Sequence, residues 1–83
     1  MTDAEIWAAI VAAVREETGD LAFELAPDMT AIDVPGWDSL AHVRILLNIE
    51  TRTGVALDID QTYRTTCVGD LIRIAKAAAP GRS

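Results

Sequence analysis

Apolar side chains recur at intervals of three and four in three separate blocks of this 83-residue chain, a rhythm that confines it to a small helical bundle. The first block holds Ile6, Trp7, Ile10, Val11 and Val14; the second runs from Leu40 to Ile49; the third holds Val68, Leu71, Ile72 and Ala75. Val55, Leu57 and Ile59 alternate with Ala56, Asp58 and Asp60 as a strand would, but no second strand is present to pair with them. That segment reads as an extended connection. A chain of this length is one domain with a single core of three or four helices, too small for a separate cofactor-binding half or a large enclosed active site.

Local chemistry sets the boundaries. Thr2 and Glu5 have capping-box spacing and Gly19 offers a left-handed stop, which predicts helix one over about 3–18. Helix two is predicted over about 39–53, opened by Asp38 or Ser39 as N-cap and closed by Gly54. A short helix over about 60–65 and a last helix over about 67–78, capped by Thr66, complete the set, with 79–83 as a frayed tail. Residues 19–38 contain Pro27, Pro35 and Gly36, but also Leu21, Phe23, Leu25, Met29, Ile32 and Val34, too many apolar groups for a free linker. They predict a long ordered loop, and loops beyond about 12–15 residues are uncommon unless they carry function.

Charge and cysteine content remove several function classes. The net charge of −6 opposes nucleic acid and anionic lipid, both of which select basic patches, and makes a basic protein the better partner. The acid is concentrated upstream: residues 18–38 hold Asp20, Glu24, Asp28, Asp33 and Asp38 and no base. No apolar run approaches the roughly 18 residues of a membrane span, and Asp3 and Glu5 interrupt any signal-peptide pattern. A soluble, cytoplasmic, monomeric protein is expected. Cys67 is the only cysteine, so neither an internal disulfide nor a cysteine zinc cluster can form, and a buried reduced thiol is expected.

Helix two carries more apolar surface than one stripe. At about 100° per residue, Ile45, Leu46 and Ile49 share one side while Leu40, Val43 and Leu47 share an adjacent one, and Arg44, Asn48 and Thr51 make a narrow polar strip. A small domain can rarely bury so wide an arc, so either one group faces a partner or all six are core. At the start of this helix stands Gly36-Trp37-Asp38-Ser39-Leu40, which places a serine hydroxyl where unpaired backbone N–H groups and the helix dipole favour a phosphate. A simple N-cap would also explain a serine there.

Two catalytic or metal readings are weaker. Ser39 and His42, three residues apart on a helix, could form a nucleophile and base, but a third orienting group and an enclosed oxyanion site are missing from the pattern. Asp58 and Asp60 begin like a calcium loop, yet Tyr63 falls where the turn glycine belongs and Gly69 where the bidentate glutamate belongs. Trp7, at helical spacing, reads as core.

The whole arrangement (acidic first helix, long ordered loop, G-x-D-S-L, wide-faced helix, short helix, last helix) resembles the acyl carrier proteins over residues 3–78. The resemblance implies an all-α, right-handed bundle of three main helices plus one short helix. It implies that Ser39, with Gly36, Asp38 and Leu40 around it, carries a 4'-phosphopantetheine arm derived from coenzyme A and attached by a magnesium-dependent phosphopantetheinyl transferase. The chain itself would be no enzyme; the arm would hold an acyl group as a thioester while acyl-loading and acyl-transferring enzymes do the chemistry. By the same analogy Leu40, Val43, Arg44, Leu47 and Trp37 face those partners.

Two departures qualify the resemblance. Many fatty-acid carriers have acids along helix two, whereas this chain has Ala41, His42, Arg44 and Arg52 with Glu50 as the single acid, which points to partners in a specialised polyketide-type or hybrid pathway. Pro35 stands where the family more often has leucine and would stiffen the loop. A peptidyl or aminoacyl carrier is the nearest alternative, although those more often show two glycines and a histidine or aspartate before the serine. A helical interaction module with no covalent group is the alternative from another class.

Overall fold

The computed structural model describes residues 1–78, and among them all regular structure is helical. The elements are α1 (Asp3–Thr18), a 3-10 turn (Ala31–Asp33), α2 (Ser39–Thr53), α3 (Ile59–Thr62) and α4 (Asp70–Ala77). Together they form a compact helical bundle measuring 33 × 23 × 21 Å. No helix among the described residues is long and apolar enough to cross a membrane. The tail expected over 79–83 lies outside the described residues.

Reciprocal capping starts α1: the Glu5 N–H donates to Thr2 Oγ1 at 3.1 Å and the Thr2 N–H donates to Glu5 Oε1 at 2.8 Å. Those bonds hold the Glu5 carboxyl below its ordinary value. The helix ends at Gly19 and α2 ends at Gly54, both in the left-handed conformation. Ile6, Ile10, Ala13 and Val14 of α1 share one core with Ile45, Leu46 and Ile49 of α2 and with Leu71, Ile74 and Ala75 of α4. Trp7 and Ile72 pack only partly buried at its margin, and Ile74 takes the inner position in α4 that the sequence pattern gave to Ile72.

The third block departs from its predicted boundaries. The short helix starts at Ile59 and ends at Thr62, rather than covering 60–65, and α4 starts at Asp70 rather than 67. Thr66 is not its cap. Instead the Asp70 carboxylate reaches back to accept the Thr66 N–H at 2.9 Å and the Cys67 N–H at 3.3 Å, which also holds its own pKa below the ordinary carboxylate value. The backbone of 66–69 is thereby turned toward the long loop, where the Val68 N–H donates to the Met29 carbonyl at 2.7 Å and the Gly69 N–H to the Pro27 carbonyl at 2.8 Å. Backbone groups committed to these bonds cannot extend α4 upstream.

Those two bonds also order the loop. A Cβ at Gly69 would lie 2.9 Å from the Pro27 carbonyl oxygen, so the close approach requires glycine. Arg15 Nε donates to the Phe23 carbonyl at 2.8 Å, tying the loop's first half to α1. Val34 is buried in the core, while Phe23, Leu25 and Met29 pack partly buried against it. Leu21 and Ile32 are exposed, so the loop is apolar in part for reasons other than the core.

Candidate functional site

The loop delivers the chain to the start of α2 through Gly36, whose φ of +88° lies in the left-handed region that side chains rarely adopt. Its backbone rests on the end of α1, where an added Cβ would meet Thr18 Cβ at 3.3 Å. Asp38 is the N-cap: its Oδ1 accepts the Ala41 N–H at 2.8 Å and its carbonyl accepts the His42 N–H at 2.8 Å. Of the two cap candidates in the sequence, aspartate therefore takes the role. Ser39 is left as the first helical residue, exposed, with no hydrogen bond from its hydroxyl to any described residue. The Ser39 and Leu40 N–H groups precede the first intrahelical bonds and have no helical partner.

Beside Ser39 opens a cavity of about 420 Å³ between the 30–32 turn, the start of α2 and the 62–68 segment. Thr30, Thr62, Thr65 and Thr66 give it hydroxyls, and Ile32, Val68 and Leu71 give it apolar surface. Cys67 lines it too and is half-buried, which corrects the expectation of a buried thiol. Asp58 and Asp60 do not meet as ligands: Asp58 caps α3 by accepting the Asp60 N–H at 3.0 Å, and the described residues hold no cluster of three metal-ligating side chains.

Helix α2 divides its apolar residues as the helical period predicts. Ile45 and Ile49 are 0% exposed and Leu46 is 1% exposed, whereas Leu40 is 61% and Leu47 54% exposed with Val43 between the extremes. The non-acidic residues expected on the outer face of α2 do not all stand there. Ala41 and His42 are buried and belong to no outer surface. Arg52 is held by Glu16 at 3.2 Å and by Asn48 Oδ1 at 2.7 Å, while Asn48 itself donates to Glu16 and Glu17, so these groups seam α2 to α1. Arg44 is exposed and forms no ion pair among the described residues, which leaves it as the basic group beside Leu40 and Leu47.

His42 and Ser39 do not form a nucleophile–base pair. The Trp37 indole N–H donates to His42 Nδ1 at 3.1 Å, and His42 Nε2 lies 2.8 Å from Thr62 Oγ1. Both ring nitrogens are occupied by other groups. Burial lowers the pKa of the imidazole and favours its neutral form. The sequence pattern could not supply this trio, because Trp37, His42 and Thr62 are joined across α2 and α3 by tertiary contact.

Compared with protein-family models, with curated proteins and with solved structures, the chain has no match in any of the three.

Proposed function

We propose that this chain is a cytoplasmic acyl carrier with an acyl-carrier-like bundle, whose Ser39 hydroxyl bears a 4'-phosphopantetheine arm derived from coenzyme A. The observation that carries the reading is the division of labour at the start of α2: Asp38 caps the helix, and the adjacent Ser39 keeps an exposed hydroxyl with no partner among the described residues. A serine that served as the cap would be the one bonded to the Ala41 N–H. Unpaired N–H groups and the helix dipole suit the phosphodiester that Ser39 would carry.

In this reading the chain performs no bond chemistry of its own. A phosphopantetheinyl transferase loads the arm, the arm's thiol holds an acyl group as a thioester, and the tether keeps that group at high local concentration for enzymes docked nearby. Leu40 and Leu47 are exposed with Val43 half-buried between them and Arg44 beside them, and these four, with the half-buried Trp37 of the preceding loop, are the residues proposed to meet the partners. An exposed arginine with no ion pair among the described residues, in place of acids, favours partners of a specialised polyketide-type or hybrid pathway. Arg44→Glu is then expected to slow transfer with native partners and to improve it with fatty-acid enzymes; no change in either would remove this refinement.

The deciding experiment is intact-mass analysis after incubation with coenzyme A, magnesium and a permissive transferase. One phosphopantetheine increment is expected, absent in Ser39→Ala. Failure of the wild type to gain it would leave the non-covalent interaction module, for which the same exposed stripe would be the binding face.

A further inference from the structure

Three hydrogen bonds run in series from the loop that presents Ser39 to the short helix α3, and they pass through one buried imidazole. Trp37 Nε1 donates to His42 Nδ1 at 3.1 Å, His42 Nε2 meets Thr62 Oγ1 at 2.8 Å, and Thr62 Oγ1 lies 2.6 Å from the Ile59 carbonyl oxygen. An indole N–H can only donate, so Nδ1 must be unprotonated and the single ring proton sits on Nε2. Thr62 then accepts that proton's hydrogen bond and donates its own to Ile59. The direction of the whole series is fixed, and it requires the neutral ring. A proton added at Nδ1 would point at the indole N–H, replacing a bond with two opposed donors.

The surroundings give imidazolium little support. His42 is 8% exposed, its ring 4.4 Å from that of Tyr63 and 6.0 Å from that of Trp37, measured between centroids. Three other titratable groups line the cavity it borders: Asp38 from the loop, Tyr63 from the end of α3 and Cys67 from the segment before α4. Asp38 has the opposite charge, but its hydrogen bond goes to the Ala41 N–H and not to the ring. Among the described residues no lysine or arginine lines that cavity.

We propose that Trp37, His42 and Thr62 are a proton-sensitive latch, with His42 as a positioning residue that holds the end of the loop, just before Ser39, against α2 and α3 while neutral and releases it when protonated. The latch belongs to the chain with nothing attached to it; only its bearing on Ser39 rests on the carrier reading. Because Trp37, Ser39, His42 and Thr62 all line the one cavity, release would change the shape of the space next to Ser39.

Proton–nitrogen NMR of the unmodified protein between about pH 8 and pH 5 reads the latch directly. At the upper end His42 is expected to carry its proton on Nε2. On acidification the Trp37 indole resonance should move with the same midpoint as His42, below the ordinary histidine value, while the Trp7 indole on α1 stays still as an internal control. Trp37→Phe removes a bond made only to the neutral ring and should raise the His42 midpoint by about half to one pH unit. His42→Gln should abolish the Trp37 titration. A proton on Nδ1 at the upper end, a Trp37 resonance that ignores His42, or an unchanged midpoint in Trp37→Phe would each overturn the latch. If His42→Gln fails to fold, the wild type and Trp37→Phe still decide. The rate of phosphopantetheine loading, as the ratio of wild type to Trp37→Phe over the same range, should vary with the His42 midpoint; a constant ratio would overturn the link to Ser39. Absence of loading at every pH would instead sink the carrier reading and leave the NMR result standing.

Discussion

In the middle of α2, Ile45, Leu46 and Ile49 meet the α1 side chains Ile10 and Val14 in a region from which water is excluded, each of the five at 0–1% exposure. One to two turns upstream the same helix borders an open cavity, and its inward residue there is a histidine held by an indole and a hydroxyl. The first region is non-directional: any apolar side chain of the right volume contributes, in proportion to the area it buries. The second is directional, since its bonds form with one tautomer and one protonation state. A helix can thus be anchored at one place and tuned at another, so that adjusting the Ser39 end leaves the anchor intact.

That contrast is broken most easily at the anchor. Ile45→Ala is expected to lower stability by about 2–5 kcal/mol in urea unfolding, the range for a fully buried large-to-small change. A loss under about 1 kcal/mol would mean that the site collapses and the two regions are less distinct than described. Gly36→Ala comes next, at about 1–2 kcal/mol, because alanine must occupy a positive φ and push on Thr18. Its effect should appear in hydrogen exchange of the loop and the first turn of α2 more than in the α1–α2 core.

Acid sharpens the comparison with a smaller effect. The folded-state pKa of His42 is depressed, so its contribution to stability is complete above the unfolded histidine pKa and is lost as pH falls through the lower folded value. Urea midpoints should therefore fall below about pH 6.5 more in the wild type than in His42→Gln; parallel curves would remove His42 from the account. The smallest effect is expected from Leu47→Ser, whose exposed position predicts a stability change within about 0.5 kcal/mol. Under the proposed carrier function, its consequence should be confined to transfer assays with partner enzymes.

The two long helices were legible because their signals are local: a four-residue capping box from Thr2 to Glu5, a cap at Asp38 or Ser39, and glycines where each helix stops. The division of the apolar residues of α2 into two groups was legible for the same reason, since angular position on a helix is set by sequence spacing, whereas the choice of Ile45, Leu46 and Ile49 as the inner group came from the family resemblance. The start of α4 was not. Thr66 has the residue type of a cap, but Asp70 turned the preceding backbone and the carbonyls of Pro27 and Met29 captured its N–H groups from about forty residues away. His42 misled in the same manner, as a helix-surface position by composition and a buried hydrogen-bonded ring in three dimensions.

The bonds from Val68 and Gly69 to Met29 and Pro27 have a consequence for anyone who recombines this chain. The segment before α4 and the segment around Pro27 complete each other's backbone hydrogen bonding and fit together without room for a side chain at position 69. They form one unit of inheritance, although the sequence separates them. A chimera that exchanges the C-terminal helix with that of another helical bundle should keep its loop in place only if residues 27–29 travel with it; a crossover anywhere between these two segments would cut the clasp on which the loop leading to Ser39 rests.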